Sequence, residues 1–130
     1  MSDEPLAIAF TAHAVAFGRY DDLDAEVLVL AEGSDGTGAR LEISRSLALN
    51  DQDRRLGIDD YALVNQHQET VYGGIQSWHV EADRLRVDLR PEAALKLGAP
   101  NGYLIRIAEP TEAALVANAL KTLLDRSAAT

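Results

Sequence analysis

The sequence of 130 residues contains no cysteine, only two lysines and few aromatic side chains (5%). Without cysteine the chain has no disulfide, no thiolate metal ligand and no cysteine nucleophile. Its 12 basic and 21 acidic residues leave a net charge of −9, whereas phosphate contacts need Lys and Arg. No apolar run approaches the roughly 20 residues that a membrane span requires. We therefore expect neither nucleic acid nor a membrane as a partner.

The overall composition, with 47% apolar and 25% charged residues, is typical of a globular protein. A chain of this length fits one domain, so residues 1–130 are predicted to fold as a single unit. The first residues, MSDEP, carry acids where a secretion signal would carry positive charge. The location that we expect is the cytoplasm.

Apolar and polar residues alternate with a period of two over 75–81 and 84–90. This alternation predicts two strands, and the two residues between them, Ala82 and Asp83, suit a tight hairpin. Paired glycines at 73–74 predict a bulge or a bend. Further strands are predicted over 6–18 (with a bulge or as two shorter strands), 26–32, 39–45, 60–66, 69–74 and 102–108.

Two helices are predicted in the last third of the chain. Pro91 suits a first helical turn and Gly98 suits the position after a last turn, so a short helix is expected between them. Thr111 is predicted to cap a second helix, whose apolar stripe begins at Leu115 and must be buried. The predicted fold class is α+β: a curved, mostly antiparallel sheet of about seven strands, with a short helix near 91–98 and a C-terminal helix packed on one face.

No sequence motif indicates a catalytic or metal site. The three histidines, His13, His67 and His79, lack the spacing of metal ligands, and no serine lies in a G-x-S-x-G turn. The glycine-rich segment 32–39 is not followed by the Lys-Ser/Thr of a phosphate-binding loop, so it is predicted to be a hairpin loop. We predict no enzymatic activity, no cofactor and no metal.

Acidic residues are concentrated in the first half of the chain, where residues 1–65 hold 13 acids and 5 bases. If the strands of this half form a meander, two acidic connections emerge at the same end of the sheet. They would form either a surface that binds a basic partner or a solvated rim, and the rim is the simpler interpretation. The candidate partner-binding residues are Asp21, Asp22, Asp24, Asp51, Asp53, Asp59 and Asp60.

Several segments of the second half resemble the immunity protein 10 family of bacterial polymorphic-toxin systems. They are Tyr61 with the residues after it, VYGGIQSW (71–78), the alternating strand 84–90 and PEAALKLG (91–98). The most specific feature is the spacing of Tyr72, Gly73, Gly74 and Trp78.

This resemblance implies a small cytoplasmic protein that binds and neutralises a cognate toxin domain without catalysis. A nuclease is one candidate toxin, and its basic surface would suit the acidic connections. The motif residues Tyr61, Tyr72, Gly73, Gly74 and Trp78 are expected to be structural, with Tyr72 and Trp78 buried and the glycines allowing a bend.

Two other classes of protein stay open. One is a non-catalytic scaffold or subunit that forms a homodimer through a sheet edge or its terminal helix. The other is a small-molecule-binding or hydrolytic domain with a pocket between sheet and helix.

Overall fold

The computed structural model describes residues 8–20, 25–46, 61–100 and 102–124. Within these ranges nine strands form a four-stranded sheet, in the order β1-β9-β8-β7, and a five-stranded sheet, in the order β2-β3-β4-β5-β6. The strands are β1 (Ile8–Ala12), β2 (Ala14–Tyr20), β3 (Ala25–Ala31), β4 (Arg40–Ser46), β5 (Ala62–Asn65), β6 (Thr70–Tyr72), β7 (Ile75–Glu81), β8 (Arg84–Leu89) and β9 (Tyr103–Ile107). Two α-helices accompany them, α1 (Pro91–Leu97) and α2 (Ala113–Leu124).

The predicted α+β class is confirmed, although the strands number nine and are divided between two sheets. The first predicted strand separates at His13 into β1 and β2, which belong to different sheets. β1 pairs in parallel with β9 from the far end of the chain, whereas all other neighbouring strands are antiparallel. The chain returns to the four-stranded sheet at Gly73-Gly74, between β6 and β7.

Strands β2 to β5 form a meander, each antiparallel to the next, which is the arrangement that would bring the two acidic connections to the same end of the sheet. The hairpin of β7 and β8 is also confirmed, because Glu81 pairs with Arg84 across a two-residue turn. The glycine-rich segment 32–39 lies in the connection between β3 and β4, in agreement with its interpretation as a hairpin loop.

The core consists of the side chains on the inner face of each sheet. In β3, Leu28 and Leu30 are fully buried in this core, whereas Val27 and Val29 point to the other face by strand alternation. Each fully buried aliphatic side chain contributes about 1.5–3 kcal/mol relative to an exposed one. The four-stranded sheet supplies a comparable set: Phe10, Ala12, Leu85, Val87, Tyr103, Ile105 and Ile107.

Helix α2 contacts β2, β3 and β4 of one sheet and β7 of the other. Its buried residues are spaced three and four apart, so they share one helix face. The predicted apolar stripe begins at Leu115, but the side chain of Leu115 is 41% exposed in the structure. The buried residues are Val116, Ala119, Leu120 and Leu123.

The residues at both ends of α1 are those that the sequence predicts, whereas the start of α2 differs from the prediction. Pro91 occupies the first turn of α1, and Gly98 follows its last turn in the left-handed conformation (φ 65°, ψ 33°). The prediction that Thr111 caps α2 is wrong, because Thr111 lies inside a 3₁₀ turn, Pro110–Glu112, that precedes the helix. Among the described residues, no helix combines the length and apolar character that a bilayer crossing requires.

Candidate functional site

Tyr61 and the two glycines of the family motif meet where the chain passes from the five-stranded to the four-stranded sheet. Tyr61 is 8% exposed, and its carbonyl oxygen accepts a hydrogen bond from the Gly73 amide (2.7 Å). Its hydroxyl oxygen accepts a second one from the Ile75 amide (2.8 Å). Tyr61 therefore holds both sides of the bend in place from the start of β5.

Gly73 and Gly74 both have positive φ angles, 72° and 98°, which glycine adopts without a steric penalty. A Cβ atom at Gly74 would lie 2.6 Å from the Cβ of Ala93 in α1. The Gly74 carbonyl oxygen also accepts a hydrogen bond from the Arg90 amide (2.8 Å). The first turn of α1 therefore contacts the bend directly.

The two aromatic residues of the motif, Tyr72 and Trp78, were both expected to be buried, and they differ in this respect. The expectation is wrong for Tyr72, whose side chain is 57% exposed on the edge strand β6. By strand pairing Tyr72 stands opposite Ala62, whose side chain points away from the core. Trp78 is partly buried and packs against the core from β7.

The seven candidate partner-binding aspartates lie outside the described residues. The described strands nevertheless determine where the two segments that contain these aspartates join the five-stranded sheet. Residues 21–24 connect β2 to β3 and residues 47–60 connect β4 to β5. Because these four strands form an antiparallel meander, both connections begin and end at the same end of the five-stranded sheet. We call it the connection end.

A row of charged residues crosses the strands near the connection end. Glu26 of β3 stands opposite Arg19 of β2 on one side and Arg45 of β4 on the other. The Arg45 side chain is buried, and its Nε donates a hydrogen bond to the Leu123 carbonyl oxygen at the last turn of α2 (2.6 Å). A cation at the carbonyl end of a helix is favoured by the helix dipole.

Arg45 is a residue that sequence reasoning missed, although the sequence contains a signal for it. In the strand predicted over 39–45, Leu41 and Ile43 alternate with polar residues, and Arg45 continues the register of the two apolar residues. An arginine in an inward register needs a buried acceptor. The acceptor comes from a helix 78 positions further along the chain, which no local pattern reveals.

A shallow groove of about 480 Å³ lies on the outer face of the four-stranded sheet, at the turn of the β7–β8 hairpin. Asp83 of its lining pairs with Arg106 of β9 (3.2 Å), and the Nε2 atom of His79 lies 3.8 Å from a carboxylate oxygen of Glu81. Among the described residues, no group of three or more His, Cys, Asp or Glu side chains is arranged to hold a metal ion. The lining residues are His79, Glu81, Ala82, Asp83, Arg84, Arg86 and Leu104.

Among the residues that the structure describes, the Tyr103 hydroxyl and the Asp35 carboxyl have displaced pKa values. Burial raises the pKa of Tyr103 to about 12, and the nearby Glu69 carboxylate acts in the same direction. The Tyr103 hydroxyl has no hydrogen-bond partner in the described part of the chain. On the surface, hydrogen bonds from the Thr37 side chain and backbone lower the pKa of Asp35 in the β3–β4 connection.

These features define an α+β protein of two packed sheets, with charged connections attached to one end of the larger sheet. A family model described as Immunity protein 10 matches residues 11–115. The match covers most of the chain, and the chain belongs to the immunity protein 10 family. It reaches from β1 into α2, so it includes the five-stranded sheet as well as the segments between Tyr61 and Gly98 that carry the resemblance. No curated protein and no solved structure matches the chain.

Proposed function

We propose that this chain binds and neutralises a cognate bacterial toxin domain in the cytoplasm by non-catalytic occlusion. Membership of the immunity protein 10 family is the observation that carries this proposal. An inhibitor of this kind needs only a stable scaffold and a complementary surface, because its effect comes from covering the toxin's active surface.

The partner-binding residues that we propose are Asp21, Asp22, Asp24, Asp51, Asp53, Asp59 and Asp60. The attachment of their two segments to a common end of the five-stranded sheet supports this proposal. The charge distribution supports it too, since the described residues hold 11 acidic and 9 basic side chains, close to neutrality. The net charge of −9 therefore arises mainly outside them.

An acidic surface of this kind would bind a toxin whose active surface is basic. Long-range attraction between opposite charges raises the association rate and is weakened by salt. A nuclease is the toxin class that fits best, because carboxylates that contact its phosphate-binding arginines and lysines block access of nucleic acid. The bound complex would need no chemical step by the inhibitor.

The class of function is tested by expressing the toxin domain encoded beside this chain, with and without it. We expect growth arrest by the toxin alone and normal growth when both are produced. Growth arrest that persists in the presence of the folded chain would remove toxin neutralisation as its function.

The binding surface is tested by replacing Asp21, Asp22, Asp51 and Asp53 together with asparagine. We expect the association rate with the toxin to fall about tenfold or more at low salt, and its salt dependence to flatten. The matched control replaces four glutamates elsewhere, which gives the same change in net charge. An equal loss in the two variants would show that only net charge matters and would contradict the proposed site. The control positions are Glu81, Glu92, Glu109 and Glu112.

A further inference from the structure

Helix α1 carries the most exposed large apolar side chain among the residues that the structure describes. Leu95 is 85% exposed, whereas the next one, Tyr72, is 57% exposed and has a polar hydroxyl group. Single apolar side chains are common on protein surfaces and need no partner. Leu95 differs from them because an apolar groove lies directly beside it.

This groove, which we call the α1 groove, has a volume of about 480 Å³ and lies between α1, the start of β7 and the end of β8. Among the described residues that line it, none is charged, and Gln76, at the register shift in β7, has the one polar side chain. A Cβ atom at Gly98 would meet nothing within 4 Å, so the groove is open at this end of the helix. Besides Leu95, the lining residues are Gln76, Leu89, Pro91, Ala94, Gly98 and Pro100.

The helix that carries Leu95 is held at both ends. At its start the Arg90 amide donates a hydrogen bond to the Gly74 carbonyl oxygen (2.8 Å), and at its end the Ala99 amide donates one to the Ala94 carbonyl oxygen (2.8 Å). The opposite face of the helix is buried in the core. A partner that binds here therefore does not have to order the helix first, which lowers the cost of association.

Two opposite charges lie on α1, one helical turn apart. Glu92 in the first turn and Lys96 in the last turn are both exposed. In the described part of the chain neither side chain takes part in an ion pair. Both charges are therefore available to a partner that binds beside Leu95.

We infer that α1 packs antiparallel against α1 of a second copy of this chain, about a two-fold axis at the height of Ala94. In this arrangement Leu95 of each copy enters the α1 groove of the other, between Pro91 and Ala94. A protruding side chain and a groove on the same surface form the self-complementary pair that a two-fold contact requires. Removal of both leucines from water is the main driving force. This inference does not depend on the toxin.

The charges of α1 fit the same arrangement. Glu92 and Lys96 lie two positions before and two positions after Ala94. Antiparallel packing about an axis at Ala94 therefore brings Glu92 of each copy beside Lys96 of the other, and two ion pairs form across the contact. Parallel packing would place each charge beside its own copy, and like charges at an interface are unfavourable. The position of Leu95 and the charge pattern thus select one register.

Sedimentation of the unmodified chain over a range of concentrations tests the dimer. We expect an equilibrium of monomers and dimers, with a dissociation constant that rises about tenfold or more in Leu95→Glu, because a carboxylate would be buried in an apolar groove. Leu115→Glu is the matched control, since Leu115 is an exposed leucine on α2, and it should leave the constant unchanged.

A monomer at every soluble concentration, or an equal effect of the two substitutions, would overturn the inference. If the chain is monomeric and Leu95→Glu weakens toxin binding, the toxin occupies the α1 groove and the second copy is the wrong occupant.

Charge reversal tests the register without a change at Leu95. Glu92→Lys and Lys96→Glu each place like charges across the two-fold axis, so we expect each variant alone to dimerise about threefold or more weakly than the unmodified chain. A mixture of the two variants has opposite charges in both pairs, and mixed dimers should form as readily as those of the unmodified chain. Native mass spectrometry, with one variant isotope-labelled, measures mixed against self-paired dimers. A purely statistical ratio would overturn the antiparallel register.

Discussion

The two sheets share one core but differ in their outer faces. The outer face of the four-stranded sheet is charged and carries ion pairs. In the five-stranded sheet the outer faces of β2, β3 and β5 consist largely of small apolar residues, and Arg40 and Glu42 form an ion pair on β4 (3.3 Å). In both sheets successive side chains point alternately to the core and to the outer face. The difference between the two outer faces therefore does not come from the requirements of the core. The polar and charged set of the four-stranded sheet is Ser77, His79, Glu81, Arg84, Arg86, Asp88 and Arg106, and the small apolar set of β2, β3 and β5 is Ala14, Ala16, Gly18, Val27, Val29, Ala62 and Val64.

Arginine shows the same contrast in a single residue type. Arg86 lies on the charged outer face and pairs with Asp88 in solvent (3.1 Å). Arg45 points inward from the five-stranded sheet and binds the end of α2. A charge facing water contributes mainly to solubility, whereas a buried charge fixes the position of its partner. The four predictions that follow test this contrast between the sheets and the parts that join them.

The largest effect is expected at the bend between the sheets. Gly74→Ala combines a positive φ with a contact of 2.6 Å to Ala93, so we expect a loss of about 3–5 kcal/mol in the free energy of unfolding. Gly18→Ala, in an open position on β2, is the control and should change it by less than about 1 kcal/mol. Urea denaturation measures both. Equal stabilities would mean that the bend does not need glycine.

The second prediction compares the two arginines directly. Arg45→Met leaves the Leu123 carbonyl without its buried donor, and we expect a loss of about 3 kcal/mol. Arg86→Met on the outer face should cost less than about 1 kcal/mol, because its ion pair is exposed. Thermal unfolding followed by circular dichroism compares them. A similar loss in both variants would remove the distinction between inward and outward arginines.

Tyr61 and Tyr72 allow a smaller comparison across neighbouring strands. Tyr61→Phe removes the acceptor of the Ile75 amide and is expected to cost about 1–2 kcal/mol. Tyr72→Phe changes an exposed side chain and should stay within about 0.5 kcal/mol. Chemical denaturation of the two variants is the measurement. If Tyr72→Phe proves the more damaging, Tyr61 is not the residue that holds the bend.

The smallest effect at neutral pH is expected at Tyr103, between the two sheets. Its pKa is about 12 in the folded protein against 10.0 in the unfolded chain, so the unfolded chain loses the proton first. The folded state then binds more protons between these values, and its stability falls as the pH rises from 10 to 12. Tyr103→Phe should differ by less than about 1 kcal/mol at pH 7 and lose stability less steeply above pH 10. If the two proteins lost stability equally steeply above pH 10, the raised pKa of Tyr103 would be contradicted.

Much of the secondary structure is readable from the sequence, because its signals are local. The hairpin at Ala82-Asp83, the first turn of α1 at Pro91 and the left-handed Gly98 each depend on residues a few positions apart. The incorrect prediction that Tyr72 is buried has a different origin. A large aromatic residue in a family motif is usually buried, but β6 is at the edge of its sheet, and edge position depends on the order of the strands.

The motif of Tyr72, Gly73, Gly74 and Trp78 indicated the family to which the chain belongs. The sequence patterns by themselves determined the α+β class, the hairpin of β7 and β8 and the short helix α1. Period-two and helical patterns decide these features because each needs only neighbouring residues. The tertiary structure decided the division into two sheets, the order of the strands within them, the parallel pairing of β1 with β9 and the attachment of Arg45 to α2. Each of these joins residues far apart in the chain, and a contact at long range is settled by packing and by the need to pair buried polar groups rather than by local pattern.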